Sequence, residues 1–223
     1  MATEVDICNL SLAHLGDDAT IASLSPPEGS AQAQLAARFY PIARDTLLDM
    51  HTWDFASRRS TMTITTSTVA QWRYAYAAPN DMMNAVAIIS PSADNDYASH
   101  MGPSDSINTT NSPQSAGYYV PQQFAVEIDG SGNYLIYTNQ ENALLCYQSK
   151  ITDTSRYSAL FTLTLSWHLA SMMAGPVIKG DVGAAESKRC TQVMAGYLQK
   201  AIQADVLNRD IKVNHIVPWT SGR

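Results

Sequence analysis

The chain has 223 residues, of which 45% are hydrophobic and only 15% charged, with a formal net charge of −6. That length suits one domain of ordinary size, or one carrying an insertion, and leaves two independent domains cramped. The acidic balance argues against wrapping nucleic acid, which needs clustered Lys and Arg, while the sparse charge leaves a surface of Ser, Thr, Asn and Gln that tolerates assembly into something larger.

The first segment carries Val5, Cys8, Leu12 and Leu15 at helical spacing, with Ile7 and Leu10 widening the stripe and Gly16 placed as a stop. It predicts a short amphipathic helix. After the turn chemistry of "SLSPPEGSAQ", Leu35, Phe39, Ile42, Thr46 and Met50 keep an i, i+3, i+4 rhythm beside Ala43 and Leu47, which predicts a second, longer helix. Pro41 cannot donate to the Ala37 carbonyl, so that helix should kink near 37–41 or break in two.

From residue 60 the period becomes alternating, in "TMTIT", "WRYAYA", "NAVAII" and "FAVEIDGSGNYLIYTNQENALLCYQS". The last stretch reads as a three-stranded antiparallel meander with turns at 129–133 and 139–142, its Phe124, Val126 and Ile128 facing a core. Residues 92–117 are nearly all turn formers and read as a long loop. After Asp153 the helical rhythm returns with Tyr157, Leu160, Phe161, Thr164, Leu165, His168 and Met172, broken by Gly175-Pro176. Asp181 is placed to cap a last helix carrying Val182, Cys190, Val193, Met194, Tyr197, Leu198, Ala201 and Ile202 to about Leu207. Residues 208–223 show no sustained period and read as an extended arm. The expected fold is therefore α+β: a helical body from 1–58 and 155–207, an inserted antiparallel β domain at 59–154, and the C-terminal arm.

The three cysteines, Cys8, Cys146 and Cys190, are odd in number, lack CxxC spacing and sit in apolar settings, so buried free thiols and folding in a reducing cytoplasm are expected. "MATEVDICNLSLAHLG" has acids where an export signal would carry basic residues, and no stretch reaches the roughly 18–20 apolar residues of a membrane span, so a soluble protein without a membrane partner is expected.

No constellation announces catalysis. His51, Asp54 and Asp49 lie close in sequence, but no HExxH, Cys/His pairing or nucleophile elbow accompanies them. The structural alternative is that Trp53 and Phe55 plug the end of the bundle while Asp54 bonds local backbone amides. His168 falls on an apolar helix face, where a hydrogen-bonded core histidine is the ordinary outcome; His14, His100 and His215 are isolated. Glu127 and Glu141 would make a hydrolase pair only if they met across a substrate, and the alternation puts Glu127 toward solvent and Glu141 in a turn. The glycines form neither GxGxxG nor a P-loop, so no catalytic residue, metal or cofactor is expected. Tyr74, Tyr76, Tyr118, Tyr119, Tyr134 and Tyr137 suit strands, with a fraction available for a contact surface.

"VDICNLSLAHLGD", "TIASLSPPEGSAQAQLAARFYPIARDTLLDMHTWDFASRR" and "WRYAYAAPNDMM", in that order, resemble the head-to-tail adaptor proteins of short-tailed bacteriophages, the tail tubular protein A family. The resemblance rests on the first helices, Tyr40-Pro41, Arg44-Asp45, Trp53-Asp54-Phe55-Ala56, Trp72-Tyr74-Tyr76-Pro79-Asp81 and the closing helix pair from Tyr157 to Leu207. It implies a non-enzymatic ring, a dodecamer of self, clamped between the portal protein of the capsid and the tail nozzle protein, with DNA passing through the centre unbound. The place would be the virion neck, after folding in the host cytoplasm. On that reading 39–59, with Pro41, Trp53 and Phe55, is a hinge between helical body and β domain. In the arm, Val213, Ile216, Val217, Pro218 and Trp219 are the expected contact to portal or neighbouring subunit, Trp219 being the anchor. Some members of the family are described as muralytic, which keeps a tail-associated peptidoglycan hydrolase as the alternative; no carboxylate pair in the sequence supports it.

Overall fold

The computed structural model describes residues 2–66, 69–91 and 122–208. The loop read at 92–117 lies outside the described residues, as do Val213, Ile216, Val217, Pro218 and Trp219 of the arm. Four α-helices and seven strands form among the described residues, in an α+β fold whose strands are inserted between two helical pairs. The chain divides into two compact units, one formed by Met1–Ala56 with Lys150–Asn208, the other holding Ser57–Ser149.

In the helical unit, α1 (Glu4–His14) opens with a capping box: Thr3 Oγ1 accepts the Asp6 N–H at 3.1 Å, and the Asp6 carboxylate accepts the Thr3 N–H at 2.8 Å. It closes at Gly16, whose φ of +74° lets the Gly16 and Asp17 amides bond the Ala13 and Leu12 carbonyls. The buried face is Ile7, Cys8, Ser11 and Leu12, while Leu10, expected on that stripe, is 38% exposed.

Helix α2 (Ala31–Met50), capped by Ser30, runs unbroken through Pro41. Its buried face is Ala33, Ala36, Tyr40, Ala43, Arg44, Leu47 and Leu48, whereas Ile42 and Met50 are exposed. The stripe expected from the large apolar residues is thus rotated. Alanines bring a helix backbone close to its neighbour, and Tyr40 and Arg44 bury long stems there, so this face makes the closer packing.

Helix α3 (Ala159–Ile178) is capped by Ser158 and packs against the other three helices. It does not break at Gly175-Pro176 but continues to Ile178. The break falls at Lys179, with φ +62° and ψ 165°, followed by Gly180 at φ +64°. Helix α4 (Gly180–Val206) begins there without a side-chain cap. Asp181, expected as the cap, stands in the first turn, where its charge suits the helix dipole. A Cβ on Gly183 would lie 3.0 Å from the Ala174 carbonyl oxygen, so the two helices approach backbone to backbone. One stripe of α4 is buried, Gly183, Cys190, Met194 and Ala201, and Val182 is exposed.

In the other unit, β1 (Ser57–Thr61), β7 (Leu144–Ser149) and β4 (Met82–Ile89) form one antiparallel sheet in the order β1-β7-β4. The second sheet runs β2 (Thr63–Thr65), β3 (Tyr74–Ala77), β6 (Tyr134–Thr138), β5 (Phe124–Ile128). The expected three-stranded meander is therefore only a hairpin, β5–β6, because β7 joins the other sheet. Tyr76 and Ile136 from one sheet and Ile88, Leu145 and Tyr147 from the other share a single buried cluster. Strands β6 and β7 thus oppose each other across a core, where their alternating apolar residues bury as well as they would side by side.

Candidate functional site

The segment between α2 and β1 brings polar and aromatic groups together. Trp53 is 1% exposed, and its indole N–H donates to the Leu47 carbonyl at 2.8 Å. That carbonyl belongs to the last turn of α2, where helical carbonyls lack an intrahelical donor, so the indole acts as a C-terminal cap from outside the helix. Phe161 meets Trp53 edge-on at 5.0 Å between centroids and meets Phe55 at 5.0 Å; Tyr157 completes the group. Trp53 and Phe55 thereby close the end of the helical unit.

Asp205, in the last turn of α4, holds this exit. Its carboxylate accepts the Asp54 N–H at 3.1 Å and lies 3.2 Å from His51 Nε2. A carboxylate at a helix C-terminus is disfavoured by the dipole, and these donors offset that cost. Asp49 is exposed. No group of three His, Cys, Asp or Glu with metal-binding geometry occurs among the described residues.

A second cluster joins α2 to the residue after β7. Arg44 is buried, its Nε donates to Asp45 Oδ1 at 2.8 Å, and Lys150 Nζ reaches Asp45 Oδ2 at 2.6 Å. Burial pushes the Asp45 carboxyl up, but Arg44 and Lys150 outweigh it and leave it below the usual range. Burial likewise raises the Tyr40 and Tyr157 hydroxyls, so both stay neutral; Tyr157 donates to the Ile151 carbonyl at 2.8 Å, while the Tyr40 hydroxyl finds no hydrogen-bond partner among the described residues.

His168 is buried as expected, but it is not the hydrogen-bonded histidine the sequence suggested: neither ring nitrogen has a partner among the described residues. Burial alone lowers its affinity for a proton. His14 is not isolated. Its ring stacks on Trp167 at 3.7 Å, its Nε2 lies 3.0 Å from Ser166 Oγ, and Arg189, paired with Glu186, extends over the same indole at 5.4 Å. Since Ser166 donates to the Leu163 carbonyl, its oxygen accepts from His14, which fixes the Nε2–H tautomer.

Glu127 and Glu141 are both exposed, in the second sheet and in the turn before β7. Cys8 and Cys190 are buried free thiols, the former pushed up to about 12 by burial and Glu4; Cys146 is only partly buried. Asp205, Lys150, Trp167 and Arg189 escaped the sequence reading. Asp205 alone left a signal, an acid in the last turn of a helix that calls for a compensating donor. Comparison with protein-family models and with curated proteins finds no match to this chain.

Proposed function

We propose that this chain is a structural, ring-forming adaptor of a short-tailed bacteriophage, joining the capsid portal to the tail nozzle and contributing a wall of the DNA ejection channel. The observation that carries the reading is the ordered resemblance over most of the chain, whose Trp53-Asp54-Phe55-Ala56 stretch occupies the exit from the helical unit and whose closing helix pair is α3–α4. The acidic net charge suits the role, since walls that bound phosphate strongly would retard the genome. The second half of α4 suits it too: Thr191–Val206 carries only Lys200 and Asp205 as charged residues. The C-terminal arm, through Val213, Ile216, Val217, Pro218 and Trp219, is the contact to portal or to a neighbouring subunit.

Negative-stain electron microscopy and mass photometry of the purified protein over a concentration series test this reading. Closed rings of about twelve copies are expected. Monomers at every concentration, with or without purified portal, would refute it.

A further inference from the structure

Helix α2 carries a second apolar face besides the one that packs. At 100° per residue, Leu35, Phe39, Ile42, Thr46 and Met50 fall along one row, on the side opposite the buried Ala33, Arg44 and Leu48. Leu35, Phe39 and Thr46 are partly buried, while Ile42 and Met50 are 52% and 47% exposed. From Leu35 to Met50 the row runs about 22 Å along the helix. Contiguous apolar surface of this kind marks a contact.

The sequence of the arm, residues 209–223, has a matching form. Between Asp210 and Thr220, Ile211, Val213, Val217 and Trp219 stand on odd positions and the polar residues on even ones, with His215, Ile216 and Pro218 the exceptions. An extended chain puts alternate residues on one side, and a proline favours extended backbone in the residue before it. The arm also starts at the right end of α2. The Asn208 N–H bonds the Asp205 carbonyl at 3.0 Å, and the Asp205 carboxylate lies 3.2 Å from Nε2 of His51, the residue after Met50. Leu207, at the root of the arm, is 83% exposed. From Asn208 to Trp219 an extended chain spans on the order of 35 Å, more than the row needs, so it can cross to an adjoining subunit and still lie along the row.

We infer that the C-terminal arm of one copy lies along the outer face of α2 of the adjoining copy, its Val213, Val217 and Trp219 covering Met50, Ile42 and Phe39. Rotation about a ring axis keeps every atom at its own height, so each arm starts level with the Met50 end of the next copy's row. The contact joins two different patches, so it is heterologous and propagates head to tail, the type that closes rings. It rests on the ring reading above and names the surface of the neighbour that takes the arm.

The test is disulfide capture between full-length variants. Ile42→Cys is mixed dilute with Val217→Cys, concentrated until the chains assemble and oxidised, with the wild-type chain as background and Gln192→Cys, exposed on α4, in place of Ile42→Cys as control. A cross-linked pair of chains should form at least tenfold faster with Ile42→Cys than with Gln192→Cys. In sedimentation velocity, Ile42→Asp should need at least tenfold more protein to assemble while keeping the wild-type far-UV circular dichroism, and Ile42→Ser replaces it if it does not. Equal cross-linking rates overturn the contact, as does a link that forms only within one chain carrying both cysteines, or a stripe variant that assembles like wild type. Each of these leaves wild-type rings and the adaptor reading standing. A wild-type chain that never assembles overturns both.

Discussion

Replacing Trp53 by alanine should cost the helical unit about 4 kcal/mol. Removing a fully buried tryptophan costs about 3–5 kcal/mol in lost burial and residual cavity. Trp53 is 1% exposed and edge-on to Phe161, so little relaxation can refill its place. The substitution also strips the donor from the Leu47 carbonyl, which contributes about 1 kcal/mol or more of that total. Trp53→Phe separates the two effects: it keeps most of the ring and loses the N–H, so its cost should be about 1–2 kcal/mol. Urea unfolding followed by far-UV circular dichroism at 222 nm reads the helices without relying on the removed fluorophore, and the midpoint should shift at constant slope. A Trp53→Ala protein within about 1 kcal/mol of wild type would refute the plug-and-cap role.

Other substitutions probe the remaining features. His168→Met removes two buried nitrogens without partners and should stabilise by about 1 kcal/mol at pH 7. Because burial holds the folded-state proton affinity of His168 below that of the unfolded chain, the unfolded chain binds the extra proton. Wild-type stability is therefore full above the unfolded value of about 6.5 and is lost as pH falls toward the lower folded value, by up to about 1.4 kcal/mol per pH unit. The slope should be shallower in His168→Met, with His14 contributing a residual slope of the same sign; equal slopes between pH 7.5 and 5.5 would contradict this. Lys179→Gly should stabilise the fold by about 1 kcal/mol and so raise the urea midpoint, since φ +62° with ψ 165° is backbone that glycine adopts freely; a lower midpoint would show that the break is not strained. Gly183→Ala should destabilise by about 1 kcal/mol or more, because its Cβ would press on the Ala174 carbonyl, whereas Gly196→Ala should stabilise by about 0.5–1 kcal/mol. Melting temperatures that move in the same direction for both would contradict the packing described.

The switch from helical to alternating period near residue 60 falls close to the start of β1 at Ser57, and Gly16 ends α1 by local turn chemistry, whereas the Ser158 cap of α3 has no counterpart in the periodic pattern. The faces were less legible. In α2 the large apolar residues drew attention to Ile42 and Met50, although the alanines decide which side packs, since close approach depends on small residues. In the β unit, alternation says that a strand has one apolar face but not whether its successor lies beside it or across the core, so the pattern alone does not distinguish a meander from β7 in the opposite sheet. Gly175-Pro176 looked like a helix end, yet Pro176 costs α3 one hydrogen bond near its terminus and the chain turns only at Lys179. Asp205 meets His51 and Asp54 across about 150 residues of sequence, a pairing no local pattern contains.

The adaptor reading is tested most directly by mixing the purified full-length chain with purified portal rings and sedimenting the mixture through a density gradient at low and at high salt. One ring of this chain stacked on each portal ring, persisting at high salt and lost when residues 208–223 are deleted, is the result the account predicts. Portal rings that sediment alone at every salt concentration, with this chain remaining at the top of the gradient, would contradict it.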